Sequence, residues 1–247
     1  MRILRTLARR FVPKAARQAV GRYLAYPPVG SVDFGDLRQV RPISKAWGYD
    51  RGKPIDRHYI ETFLEAYADD MRGRALEVKD DQYLRRYGRR VERRDILQPV
   101  PGGAATVVAD LTRAEQVPEA AFDTFVCTQV LHFVADLEAA IAGCRRLLRP
   151  GGVLLATVPC LARVEDAPED SSGDYWRFTL PSTRRLFGGV FGDQNVQIEQ
   201  YGNVLAAIAF LHGLAAEELS AGELAVNDPA FPVIVGIRAR VAEGGTP

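Results

Sequence analysis

The chain has 247 residues, 47% hydrophobic and 26% charged, and its 32 basic residues nearly balance its 31 acidic ones. These fractions are typical of globular proteins and exclude disordered, collagen-like and coiled-coil chains. The length suffices for one large α/β domain or two small ones. The longest apolar run, residues 204–211, is too short to cross a bilayer, so we expect no integral membrane protein.

The cysteines and histidines exclude two classes of small, cross-linked protein. Cys127, Cys144 and Cys160 are odd in number and lack a C-x-x-C spacing. Buried, reduced thiols in a reducing compartment explain them better than a disulfide framework or a zinc site. The 3 histidines are scattered along the chain, so the sequence predicts no metal site. We therefore expect a cytoplasmic protein.

Charge is unevenly distributed along the chain. Residues 1–32 contain six arginines, one lysine and no acid, whereas the remaining chain is mildly acidic. Apolar residues recur between these arginines at roughly helical spacing. The sequence leaves three interpretations of this N-terminal segment (residues 1–30): a solvated helix, a targeting peptide, or a helix that docks on an acidic partner or an anionic membrane. Docking through residues 1–26 would place the protein at the inner face of a membrane.

A linker and an irregular lead-in follow the N-terminal segment. Prolines 27 and 28 mark the linker, and residues 31–72 form the lead-in, which ends in a helix from residue 55 or 56 to residue 70. Short apolar runs then alternate with helical patterns through residues 73–242. The predicted strands among them cover residues 75–78, 106–109, 124–127 and 153–158. Runs that are apolar on both faces are typical of a parallel sheet covered by helices.

The clearest predicted helix covers residues 136–149. It has one apolar stripe, Asp136 as its N-cap and arginines in its last turn, and Pro150–Gly151–Gly152 ends it. Further strands are expected at residues 196–199 and 233–241, with a helix between residues 203 and 219. This order predicts a doubly wound α/β domain, mostly parallel, with an antiparallel tail.

Three acids fall where we expect strands to end. In an open α/β sheet, ligands bind beyond the carboxyl ends of the strands. Asp95 follows Glu77 by 18 residues, close to the spacing at which a carboxylate accepts both hydroxyls of a ribose. Asp110 is placed to meet an adenine amino group, with Leu111 against the ring. Together they predict a nucleoside site, although each alone is also a common turn or cap residue.

Several motifs resemble the class I S-adenosylmethionine (SAM)-dependent methyltransferases. The runs FDTFVCTQVL (residues 122–131) and LLRPGGVLL (residues 147–155), with the helix between them, carry the resemblance. The segments GDYWRFT (173–179), RGKPIDR (51–57) and GNVL (202–205) are similar to methyltransferase-like proteins of bacterial glycan and natural-product pathways. The resemblance covers roughly residues 41–240. It implies a seven-stranded, Rossmann-like sheet with an antiparallel C-terminal strand.

The resemblance also implies SAM as the cofactor and gives the three acids their roles. Glu77 would organise the amino-acid end of SAM, directly or through water. Asp95 would hold the ribose, and Asp110 with Leu111 would hold the adenine.

The loop after the first strand departs from the family pattern. By the same resemblance, Thr128 and Gln129 would line the cleft beside the methionine part of SAM. The family has acid-x-Gly-x-Gly in the loop, whereas this chain reads EVKDD at residues 77–81. Glycine serves there because the backbone approaches the ligand closely, often with positive φ. A residue with a side chain in this left-handed backbone conformation costs ~1–2 kcal/mol. Asp80 adopts that conformation more easily than Lys79, because its side chain is short and polar. Lys79 would either pair with the methionine carboxylate or fill the cofactor space.

Methyl transfer is an in-line displacement that depends on holding the acceptor close to the methyl group. A base assists when the nucleophile is a hydroxyl. His132, just after the fourth strand, is the first candidate, His212 the second and Asp174 the third. The alternative for each histidine is a hydrogen-bonded core residue.

The sequence says least about the identity of the methyl acceptor. Tyr175, Trp176 and Arg177 would form an acceptor wall, with the aromatic rings stacking on a sugar or ring and the arginine binding a carboxylate or phosphate. The alternative is a Tyr-Trp pair that anchors a loop. Nucleic acid is disfavoured because the chain beyond its N-terminal segment is acidic, and the arginines at residues 85–94 alternate with acid and tyrosine.

The sequence therefore predicts an enzyme that methylates oxygen or nitrogen of a small-molecule or glycan-linked acceptor. Two alternatives stay open. One is a methyltransferase fold that has lost catalysis and serves as a binding or assembly subunit. The other is non-methylating catalysis in the same cleft.

Overall fold

The computed structural model describes residues 13–24, 26–113, 115–165 and 173–244. The chain divides into two compact units, Met1–Arg41 and Pro42–Pro247. In the first unit, helix α1 covers Lys14–Tyr23, and its described side chains are exposed. Residues 1–12, which carry much of the predicted basic helix, lie outside the described residues.

The second unit is built on a seven-stranded sheet. Its strands are β1 (Arg72–Val78), β2 (Arg90–Gln98), β3 (Val107–Val108), β4 (Phe122–Thr128), β5 (Leu148–Pro159), β6 (Val196–Tyr201) and β7 (Ile234–Arg240). The order across the sheet is β3-β2-β1-β4-β5-β7-β6. β7 runs antiparallel to both of its neighbours, and the other pairs are parallel. The prediction of a mostly parallel sheet with an antiparallel C-terminal strand is confirmed.

Helices cover both faces of this sheet. They are α2 (Ile55–Ala66), α3 (Gln82–Tyr87), α4 (Leu137–Leu147), α5 (Leu180–Phe191), α6 (Val204–Leu211) and α7 (Ala221–Ala225). Ile141 of α4 and Phe187 of α5 belong to one buried cluster. Phe63 of α2 and Phe210 of α6 belong to the cluster on the other face. Among the described residues, no helix is both long and apolar enough to cross a membrane.

The helix predicted for residues 136–149 is shorter than expected at its C-terminal end. Its N-cap is confirmed, since Asp136 Oδ1 accepts a hydrogen bond of 3.1 Å from the backbone N–H of Ala139. The chain is already extended at Leu148, with φ −91° and ψ 138°, and Leu148 pairs with Phe122 of β4. Strand β5 therefore begins at residue 148 and its range includes Pro150, which could not continue a helix.

Two other predicted helices also end early. The first stops at Ala66 and continues only as a 3-10 turn, Ala68–Asp70. The second stops at Leu211, because Gly213 has φ +69° and a Cβ there would lie 2.4 Å from the Ser44 carbonyl oxygen. The predicted burial of the cysteines is confirmed for Cys127 and Cys144.

Candidate functional site

A cavity of about 630 Å³ opens at the carboxyl ends of β1, β4 and β5. Residues 47–57 and the start of α2 form its opposite wall. It brings together eight of the residues predicted from the sequence: Glu77, Lys79, Asp80, Thr128, Gln129, His132, Asp174 and Arg177. The other six, Asp95, Asp110, Leu111, Tyr175, Trp176 and His212, do not line it.

Glu77 lies near the end of β1 with its side chain buried. Its two carboxylate oxygens accept hydrogen bonds from the backbone N–H groups of Tyr83 (3.2 Å) and Leu84 (2.9 Å). Burial raises the pKa of Glu77 to about 8, so this carboxyl is largely protonated at pH 7. Glu77 therefore fixes the turn between β1 and α3 and adds little negative charge to the cavity.

The loop after β1 has the backbone conformation expected of a glycine loop. Lys79 has φ +77°, as the sequence comparison with the family pattern predicts for that position. Its N–H donates to Leu97 O at 3.0 Å, and its carbonyl accepts from Gln98 Nε2 at 3.2 Å. Because the residue is exposed while it also lines the cavity, Lys79 lies where the cavity opens to solvent.

The prediction that Asp95 ends a strand is wrong. Asp95 lies inside β2 opposite Leu76, and the strand continues to Gln98. Its carboxylate is buried and accepts hydrogen bonds from Arg74 Nε (2.7 Å) and Arg93 Nη2 (3.1 Å). The polar residue at the end of β2 is instead Gln98. The sequence does not reveal the length of this strand, because the arginines at residues 93 and 94 interrupt any apolar run.

Asp110 and Leu111 follow β3 but turn away from the cavity. Asp110 Oδ1 accepts hydrogen bonds from Thr112 N (2.9 Å) and Thr112 Oγ1 (2.8 Å), a local turn interaction. Leu111 is buried in the core, and its carbonyl oxygen would lie 2.0 Å from a Cβ built on Gly143. Asp110 thus has the turn role that the sequence left open, and Leu111 is a core residue.

His132 lies in the 3-10 turn after β4, and only 7% of its surface is exposed. Its Nδ1 atom is buried and has no hydrogen-bond partner among the described residues. Burial lowers the pKa of His132 to about 4, so the imidazole is neutral at pH 7. His212 caps the end of α6, where its carbonyl accepts from Ser44 N at 3.0 Å, away from this cavity.

Asp174 and Arg177 form an ion pair inside the cavity. Arg177 Nη2 donates to Asp174 Oδ2 at 2.6 Å, and this contact lowers the pKa of Asp174 below its usual range. Asp174 is therefore ionised and already paired. Tyr175 and Trp176 are 50% and 41% exposed, and Trp176 Nε1 donates to Val134 O at 2.9 Å. Of the predicted acceptor wall only Arg177 lines the cavity, and the indole of Trp176 anchors the loop instead.

The aromatic wall of the cavity comes from a segment that we interpreted as an irregular lead-in. Trp47 lies under the guanidinium of Arg163, whose Cζ atom is 3.3 Å from the ring centroid. Tyr49 Oη accepts a hydrogen bond of 3.0 Å from Arg57 Nε. The motif RGKPIDR, noted only for its resemblance, is the signal that could have placed this segment at the site.

Comparison with known proteins supports the resemblance seen in the sequence. Residues 63–156 match a family model described as a methyltransferase domain. The solved structure of the cyclase SpnF is similar, with 16% identity, a TM-score of 0.50, and coverage of 78% of this chain and 84% of that one. No curated protein sequence matches the chain.

Two further structures are similar at lower scores. The Burkholderia thailandensis 1,6-didemethyltoxoflavin-N1-methyltransferase has 18% identity and a TM-score of 0.45, over 75% of this chain and 77% of that one. A SAM-dependent methyltransferase from Archaeoglobus fulgidus has 12% identity and a TM-score of 0.48, over 74% and 94%.

Proposed function

Because residues 63–156 match a methyltransferase domain and the sheet is the one that the resemblance to class I methyltransferases implies, we propose that the protein is a SAM-dependent methyltransferase. The methyl group would pass to oxygen or nitrogen of a small-molecule or glycan-linked acceptor. One observation carries the proposal. The cavity opens at the carboxyl ends of β1 and β4, two strands of the matched segment, and this is the edge where α/β sheets bind their ligands.

The volume of the cavity and the backbone conformation of its loop are both suited to SAM. A volume of about 630 Å³ falls in the range of ~300–1,000 Å³ that is usual for drug-sized ligands. The left-handed backbone at Lys79 lets the loop approach a ligand as a glycine would. The Lys79 residue itself is exposed to solvent.

We assign the cofactor contacts as follows. The loop at Lys79 and Asp80 would hold the amino-acid end, and Thr128 and Gln129 would lie beside the methionine part. Gln98, at the end of β2, does not line the cavity itself but donates to the Lys79 carbonyl of the loop, and it would take the place of Asp95 beside the ribose. Bound SAM supplies a methyl group on a sulfonium, and the chain has to position the acceptor against it.

His132 is the group that would meet the acceptor. It lines the cavity, and a neutral imidazole can accept a hydrogen bond from a hydroxyl or an amine. With a pKa near 4, it is a weak base at pH 7, so its main contribution would be to orient the nucleophile. Asp174 is a poorer base, because Arg177 already pairs with it.

A second candidate is catalysis without methyl transfer in the same cavity. The sequence supports it through Lys79, which stands where the family pattern has glycine. The fold of this chain is also similar to that of a protein named as a cyclase, so the fold alone does not specify the reaction.

Calorimetric titration with SAM and with S-adenosylhomocysteine tests the proposal. We expect micromolar binding of both compounds, because the two share the nucleoside and amino-acid parts. Circular dichroism and a cooperative thermal transition would show that the sample is folded. A folded protein that binds neither compound would contradict the proposal and favour the binding-subunit alternative.

A further inference from the structure

Arg57 is a partly buried cation in the wall of the cavity, in the first turn of α2. Its side chain is 30% exposed, and its Nε donates to the neutral phenol of Tyr49 at 3.0 Å. The nearest carboxylate among the described residues is that of Asp56, whose Oδ2 lies 4.0 Å from Arg57 Nε. That distance is too long for a hydrogen bond, so no carboxylate of the described residues is hydrogen-bonded to the guanidinium.

The carboxylate of Asp56 is hydrogen-bonded to the backbone of Arg57 and not to its guanidinium. Its Oδ1 accepts a hydrogen bond of 2.8 Å from the backbone N–H of Arg57, and burial raises the pKa of Asp56. The other acid on this wall, Glu61, pairs with Lys53 and with Arg86. Placing a guanidinium in such surroundings is costly unless a ligand anion completes its hydrogen bonds.

Arg57 lies beside Tyr83 of α3, the helix that follows the loop after β1. Burial raises the pKa of Tyr83, and the charge of nearby Arg57 opposes that rise. The backbone N–H of Tyr83 in turn donates to Glu77 at 3.2 Å. The loop carboxyl at Glu77 is largely protonated at pH 7, so it does not repel an anion near this loop.

We infer that Arg57 binds the carboxylate of the amino-acid part of the cofactor, which rests on the proposed function. The planar guanidinium can donate two parallel hydrogen bonds to a carboxylate, whereas its neighbours Tyr49 and Tyr83 offer it only phenol oxygens. Tyr49 fixes the side chain through Nε. Lys79 is exposed at the mouth of the cavity and adds only a point charge.

The test is calorimetric titration of the full-length protein with three ligands. SAM and S-adenosylhomocysteine carry the carboxylate, and 5′-methylthioadenosine lacks the whole amino-acid part beyond its methylthio group. In Arg57→Gln, we expect about 10- to 100-fold weaker binding of the first two and less than about twofold change for the third, since one charge-assisted contact is lost. Arg184→Gln, an exposed arginine of α5, is the matched control and should bind all three as the wild type does.

Unchanged SAM affinity in Arg57→Gln would overturn the inference and leave the proposed function intact. An equal loss for all three ligands would also overturn it, since Arg57 would then only shape the cavity. A wild type that binds none of the three would remove the proposed function and the inference with it.

Two variants keep the test valid if Arg57→Gln does not fold. Arg57→Lys keeps the positive charge and loses the fork, so we expect an intermediate loss for SAM and none for 5′-methylthioadenosine. Tyr49→Phe removes the acceptor that fixes Nε and should weaken SAM binding about 2- to 10-fold. Wild-type SAM affinity in both variants would contradict the inference.

Discussion

The carboxylate of Glu77 accepts a hydrogen bond of 2.9 Å from the backbone N–H of Leu84. This contact, with a second one to Tyr83 N, joins the end of β1 to the start of α3 inside the protein. The acid that the sequence indicates as a cofactor ligand is thus occupied by the protein's own backbone. Glu77 shapes the loop that would contact the cofactor.

Stability should fall with rising pH because of Glu77. Burial raises its folded-state pKa from 4.5 to about 8, so the native state keeps a proton that the unfolded state releases. The contribution is fully present below pH 4.5 and is lost as pH rises through 8. Urea denaturation at pH 5, 6.5 and 8.5 should show wild type losing free energy of unfolding relative to Glu77→Gln, which cannot ionise. Glu115→Gln, an exposed acid, should follow the wild type, and parallel curves for Glu77→Gln would contradict the assignment.

Replacing Lys79 by glycine should stabilise the loop without harming the site. The left-handed backbone costs a side chain ~1–2 kcal/mol, and glycine costs ~0.5–1 kcal/mol in chain entropy. We expect a gain of about 0 to 1.5 kcal/mol in urea denaturation, with SAM affinity equal to that of wild type or better. Lys79→Ala is the matched control, because it removes the charge and keeps the strain. Weaker SAM binding in both variants would show that the lysine side chain holds the ligand.

Asp95 should matter for stability and little for SAM. Removing its carboxylate in Asp95→Ala leaves Arg74 and Arg93 without their acceptor, which should cost about 1–3 kcal/mol in urea denaturation. SAM affinity should change less than about threefold, because Asp95 does not line the cavity. Gln98→Ala removes the contact to the Lys79 carbonyl and should weaken SAM more than Asp95→Ala does. The opposite order would restore the ribose role to Asp95.

The sequence predicted the strands of the sheet wherever both faces of a strand are buried, because such a strand is a continuous apolar run. β1, β4 and β5 are such runs, and the stripe of α4 with its Asp136 cap identified the helix between them. β2 is different, because its first half is charged and its Asp95 pairs with Arg74 and Arg93. Neither the length of the strand nor the burial of Asp95 is therefore visible in the hydrophobic pattern.

The site was predictable mainly where its residues lie at the end of a buried strand or just after it. Glu77, Thr128 and His132 do so, and the structure brings them to one cavity. Trp47 and Arg57 precede the first strand by more than ten residues and reach the cavity through tertiary folding. Local periodicity carries no signal for such a contact.

The imidazole of His132 should stay neutral far below the usual histidine range. Burial lowers its folded-state pKa to about 4 from 6.5, so this group contributes stability above pH 6.5 that is lost as pH falls through 4. In a proton-carbon NMR titration, the imidazole signal that His132→Gln removes should not titrate above pH 5. A signal assigned to His132 that titrates near pH 6.5 would show that the side chain is solvated.

The N-terminal segment should bring the protein to anionic membranes. The described side chains of α1 are exposed, and this part of the chain has basic residues and no acid before residue 33. Basic residues near an anionic surface each contribute roughly 1 kcal/mol, and salt screens that attraction. Full-length protein should sediment with phosphatidylserine-containing liposomes at low salt, and a variant lacking residues 1–26 should stay in the supernatant. Neutral phosphatidylcholine liposomes serve as the control, and equal sedimentation of the two forms would refute membrane docking through this segment.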